Sequence, residues 1–170
     1  YGTHGTIVSR SKIIEKEGFK SFGNPGYRGS GTYFWCGNDE RAYHLAYASY
    51  LDSEQDGKYN KRYDTNRNCA IILASLNLNE DNEVLDINNS EAVNHICKLS
   101  EQRGIDTSNK KDISAIYDMY INKVEKNTGL SLKLIRVRVH SPRHIRFNIY
   151  PIRLLGHPFA CIARDNSIIN

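Results

Sequence analysis

The sequence predicts an α+β fold, and three observations carry that reading. Short apolar or alternating runs at 69–77, 83–87, 132–140 and 159–163 have the length and period of strands. Segments at 40–51, 90–103 and 112–126 bring apolar residues back every three or four positions, as in helices that bury one face. There is no internal repeat, and 170 residues suffice for a single domain, 1–170, that buries its own core.

In chain order, residues 1–8 read as a strand punctuated by Gly2 and Gly5. Ser9 or Ser11 is placed to cap a helix over 11–17 that offers Ile13 and Ile14 to the core and stops at Gly18. Residues 20–31 hold four glycines and a proline and read as a loop, either a mobile flap over a ligand or a plain surface connection. In the strand at 32–36, Tyr33, Phe34 and Trp35 point alternately to opposite faces. Asn38 or Asp39 caps the helix at 40–51, where Tyr43 and Tyr47 share a face, and the polar stretch 52–68 is a loop. A polar hairpin at 78–82 is expected to join the strands at 69–77 and 83–87. The next two helices stop before Gly104 and Gly129, and the last third is strand-like at 132–140, 145–149 and 159–163.

Hydrophobic residues make up 39% and charged residues 25%, the balance of an ordinary globular chain. No apolar run reaches the roughly 20 residues of a membrane span, so no membrane partner is expected. Cys36, Cys69, Cys97 and Cys161 lack metal-ligand spacing, as do His140, His144 and His157, so no metal site is expected. The apolar neighbourhoods of the cysteines predict free thiols and a reduced, cytosolic setting. The chain opens without methionine directly on the first strand, which suggests a fragment or processed domain of something longer.

Several residues stand in a telling order: His4-Gly5-Thr6, then Ile13-Ile14 and Gly18-Phe19. Gly29-Ser30-Gly31-Thr32-Tyr33-Phe34 follows, and then a helix carrying Ala42, Tyr43, Ala46, Tyr47 and Ala48. Over roughly the first fifty residues this series resembles the ADP-ribosyltransferases of the diphtheria-toxin and poly-ADP-ribose-polymerase type. The resemblance implies a split fold, two small, mostly antiparallel sheets around an NAD cleft with peripheral helices, and NAD as co-substrate. It implies that His4 and Tyr33 are the catalytic pair and that His4, Gly5, Thr6 and Tyr33 contact NAD. Gly5 would offer its backbone to the nicotinamide carboxamide, His4 would bond the adenosine ribose, and Tyr33 would stack on the nicotinamide. A second aromatic from the following helix, His44 or Tyr47, would close the other face of that ring.

One departure from the family pattern stands out. A glutamate on a late strand commonly completes the site, yet no Glu follows Glu125, and the matching position falls on Phe159, Ala160 or Cys161. The resemblance therefore implies single transfer of ADP-ribose to a macromolecule, not polymer growth. Two alternatives stay open: a degenerate NAD or ADP-ribose reader, and RNA 2′-phosphotransfer on a related fold. From Lys126 to Arg164 there are eight Lys or Arg and no Asp or Glu, which favours an anionic acceptor, nucleic acid ahead of protein. The resemblance further implies a bacterial toxin or effector domain, delivered as the end of a larger secreted protein and acting in the cytoplasm of a producing or target cell. An immunity or antitoxin protein is the partner such a domain implies.

Overall fold

The structure, a computed structural model, describes residues 1–20, 26–146, 148 and 150–170. The fold is α+β. Among the described residues six strands form one open sheet, β1 (Gly2–Ile7), β2 (Thr32–Cys36), β3 (Cys69–Ala74), β4 (Val84–Asp86), β5 (Leu134–Arg138) and β6 (Phe159–Ala163), in the order β3-β1-β2-β6-β5-β4. Only the β4–β5 pair at one edge is parallel. The helices are α1 (Val8–Glu17), α2 (Glu40–Gln55), α3 (Glu80–Glu83), α4 (Ser90–Arg103), α5 (Lys110–Thr128) and α6 (Ile152–Leu155).

Local chemistry sets the long helices. The Asp39 carboxylate accepts from the N–H of Ala42 at the start of α2, and Glu40 adds negative charge beside the helix N-terminus. Asn89 and Asn109 cap α4 and α5 in the same way, and each of these helices ends on a left-handed glycine, Gly104 and Gly129. By contrast, α1 starts at Val8 directly out of β1 with no side-chain cap, so neither Ser9 nor Ser11 opens it.

Strand alternation sorts the core onto two faces. Tyr33 pairs with Ile162, Trp35 with Ala160 and Val137 with Ala160, so these residues share one face. There Ile135, Val137 and Ile162 pack with Ala92 of α4 and with Tyr120 and Ile121 of α5. The opposite face buries Phe34, Ala74, Leu134, Cys161 and Ala163 with Ile168, and Phe19 packs beside them. Helix α2 covers the β1 end of the first face. Thr3 donates from Oγ1 to the Ala42 carbonyl at 2.9 Å, and a Cβ on Gly5 would overlap the Ala46 carbonyl oxygen.

The shortest pairing in the sheet lies between its second and third strands, where β1 and β2 pair only at Gly2 with Cys36 and Thr3 with Trp35. Beyond Thr3 the two strands part, while β1 stays paired with β3 over its whole length.

Several expectations need correcting. The stretch 78–82 is not a hairpin: it leads into α3, and the strands it separates lie at opposite edges of the sheet. Residues 145, 146 and 148 are not in a strand, and 147 and 149 lie outside the described residues. Cys36 and Cys161 form a disulfide between neighbouring strands, with Cα atoms 5.3 Å apart, so they are not free thiols; Cys69 and Cys97 are. That bridge removes the cysteine argument for a reduced setting, because disulfides form in oxidising environments. The proposed flap at 20–31 is only partly described, and its residues 27–30 lie against α5, with Ser30 bonded to Asp118.

Candidate functional site

The parting of β1 and β2 opens onto a cleft of about 680 Å3, a size suited to a small molecule or cofactor. Its floor is β2 and β6, with Tyr33, Trp35 and Ala160. One wall is β1 and α2, with Thr3, His4, Gly5, Ser49 and Ser53; the other is the start of α5 and the turn before it, with Thr107, Lys110 and Ile113. Gly26, Tyr27 and Arg28 line a third side, and Val139 and His140, just past β5, complete it.

Of the residues singled out in the sequence, His4, Gly5 and Tyr33 converge on this cleft. Thr6 is buried and is not among the lining residues. His44 and Tyr47 also lie away from the lining. The His44 ring faces Glu40 at 3.5 Å on the same helix, and Tyr47 is exposed and stacks on Tyr50. On α2 it is Ser49 and Ser53, four residues apart, that turn towards the cleft. A pair of small hydroxyls is a quieter signal than a tyrosine pair.

The His4 ring fills the gap where strand pairing stops. Its Nδ1 lies 3.0 Å from the Tyr33 carbonyl oxygen, which only accepts, so Nδ1 carries the proton. Burial lowers the His4 pKa, against a smaller raising effect of the Tyr33 carbonyl, and the ring is neutral near pH 7. Nε2 is then an acceptor. The rings of Phe19 and Phe34 meet the imidazole edge-on and fix its plane.

Tyr33 is held at its hydroxyl. Oη donates to the Gly29 carbonyl at 2.7 Å and accepts from the Arg28 N–H at 3.0 Å. Burial is the main cause of its raised pKa, so the phenol stays protonated. Gly26 packs against the hydroxyl end of the ring, where any Cβ would overlap it. Trp35 is also a cleft residue, and its Nε1 donates to Ser49 Oγ at 2.9 Å.

The electrostatics of the lining are one-sided: among the described residues it holds Arg28 and Lys110 and no carboxylate. Arg28 lies over the ring of Tyr117 at 5.2 Å, and Lys110 over that of Tyr27 at 5.2 Å. Burial first, and then the charge of Lys58, lowers the Lys110 pKa. An anion in the cleft would meet two cations that no lining carboxylate neutralises. Of the three positions offered for the late glutamate, Ala160 is the one that lines the cleft. Cys161 points to the opposite face, and Phe159 lies under the Arg138 guanidinium.

Much of the basic last third is offset within the fold. Lys133 pairs with Glu83, Arg136 with Glu80 at 3.8 Å, Arg164 with Glu125 at 3.0 Å, and Arg143 with Asp56 at 2.6 Å. The acidic partners come from earlier elements, which a count along the sequence does not show. Among the described residues no group of His, Cys, Asp and Glu could hold a metal, and no helix is long and apolar enough to cross a membrane.

Comparison with family models, curated proteins and solved structures returns no match for this chain. The functional reading therefore stands on the residues of the cleft.

Proposed function

We propose that the chain is an NAD-dependent mono-ADP-ribosyltransferase domain that uses this cleft. The observation that carries the reading is the meeting of His4, Gly5 and Tyr33 where β1 and β2 part, with Arg28 and Lys110 across the cleft. The short seam also supports the split-sheet arrangement that the resemblance implies. Neutral His4 offers Nε2 to a ribose hydroxyl, Tyr33 offers its ring to the nicotinamide, and the two cations suit the pyrophosphate.

In the reaction the bond between nicotinamide nitrogen and ribose carbon breaks, and nicotinamide leaves with the bonding electrons. The acceptor's nucleophilic atom bonds the same carbon and gives its proton to solvent. The product carries one ADP-ribose per site. The acceptor is a macromolecule, protein or nucleic acid. Internal pairing of Lys133, Arg136, Arg143 and Arg164 weakens the charge argument for nucleic acid.

A second reading, an NAD or ADP-ribose binding module, is favoured by one observation. Cleavage builds positive charge on the ribose, and among the described residues no carboxylate lines the cleft to stabilise it. Incubation with labelled NAD and cell lysate, followed by nuclease or protease, separates the readings. Transfer with nicotinamide release supports the enzyme and identifies the acceptor class; tight binding without release supports the module; neither binding nor release rejects both.

A further inference from the structure

Tyr33 is not held by its own strand alone. Its hydroxyl bonds the backbone of Arg28 and Gly29, and the next residue of that segment, Ser30, is tied to α5. The Ser30 N–H donates to Asp118 Oδ1 at 2.9 Å, and Ser30 Oγ donates to Asp118 Oδ2 at 2.7 Å. Both oxygens of one carboxylate are thus engaged by one residue. Charged acceptors make the stronger hydrogen bonds, and two of them fix orientation as well as distance.

The segment needs such an anchor. It has glycines at 26, 29 and 31, and glycine loses the most conformational freedom on ordering. Gly29 has φ +104, a conformation that L side chains rarely adopt, and a Cβ there would stand 3.0 Å from Asp118 Oδ1, tight enough to push against the carboxylate. Arg28 over Tyr117 adds a second contact with the same helix.

We infer that Asp118 is a positioning residue for Tyr33: through Ser30 it fixes residues 28–30, whose backbone fixes the Tyr33 ring in the cleft. The inference rests on the reading that Tyr33 contacts the ligand. Asp118 itself is not among the lining residues, so its influence on binding passes through this chain of bonds. Substitutions that cut the chain at different links should be redundant with one another.

The test measures NAD affinity by calorimetry for the unaltered protein, Asp118→Ala, Asp118→Asn, Tyr33→Phe and the double variant Asp118→Ala/Tyr33→Phe. Ring signals of Tyr33 and Tyr120 are followed by NMR with labelled tyrosine. Asp118→Ala should weaken NAD about tenfold and shift the Tyr33 signals while leaving Tyr120 unmoved. Asp118→Asn, which keeps an acceptor for the Ser30 N–H and a donor for its hydroxyl, should restore most of the affinity. In the Tyr33→Phe background, Asp118→Ala should cost little more, because the hydroxyl link is already cut. Equal losses in both backgrounds overturn the inference, as do Tyr33 signals indifferent to Asp118→Ala. Should Asp118→Ala fail to fold, Ser30→Ala, which removes the hydroxyl bond to Asp118, takes its place in the same measurements, alone and with Tyr33→Phe. If the unaltered protein does not bind NAD, the site reading fails, and the response of the Tyr33 ring alone decides the role of Asp118.

Discussion

The two walls of the cleft are made of different material. The β1 and α2 wall carries His4, Ser49 and Ser53 on a tightly packed base: Thr3 bonds a helix carbonyl, and at Gly5 α2 lies against the strand with no room for a side chain. The opposite wall is made of side chains, Arg28, Lys110 and Thr107, presented by a glycine-rich segment and the start of α5. That base, Thr3 and Gly5, cannot be altered without altering the fold. A side-chain wall is free to set which ligand binds. The same glycine that invites a flat ligand in the sequence thus has a packing duty in the fold.

That contrast fails if Gly5 tolerates a side chain. Gly5→Val should destabilise the protein by about 3 kcal/mol or more, because its Cβ would meet helix backbone that cannot turn aside, lowering Tm by roughly 6–12 °C in a thermal melt. An unchanged melting temperature would mean that α2 is not seated as described.

The converse holds across the cleft. Lys110→Ala should leave the melt almost unchanged and weaken NAD binding about three- to tenfold, an effect that shrinks as salt is raised. If it destabilises the fold as Gly5→Val does, the second wall is structural too.

The smallest effect concerns His4 and sharpens the contrast from the strand side. Burial holds its folded pKa below the ordinary 6.5, so just below pH 6.5 the unfolded chain binds a proton that the folded chain does not. The stability contributed by neutral His4 is therefore whole above pH 6.5 and is lost as pH falls below it. Urea midpoints measured at about pH 7.5 and about pH 5.5 should fall less for His4→Gln than for the unaltered protein. Equal falls would show that His4 is not buried neutral.

The same difference explains what could be read from the sequence. Capping residues and glycine stops are local, so Asp39, Gly18, Gly104 and Gly129 marked helix ends correctly. His4, Gly5 and Tyr33 stand in one ordered series within the first fifty residues and line one cleft. Sheet order was not legible, because β3 and β4 are neighbours along the chain yet lie at opposite edges. Nor was the disulfide, whose partners are 125 residues apart and meet only through the β2–β6 register. Lys110, at the start of α5, and His140, just past β5, reach the cleft through tertiary packing and carry no local mark. His44 and Tyr47 illustrate the opposite failure: the resemblance pointed to an aromatic of α2, whereas the cleft-facing positions of that helix are serines.

The central claim is that NAD is held in this cleft against Tyr33, and calorimetric titration of NAD into the unaltered protein and Tyr33→Ala, with nicotinamide release followed alongside, tests it most directly. The account predicts saturable one-to-one binding to the unaltered protein, and a loss of at least tenfold in Tyr33→Ala, roughly 1.4 kcal/mol, with the fold intact by circular dichroism. Equal affinity and equal turnover in the two proteins would contradict it.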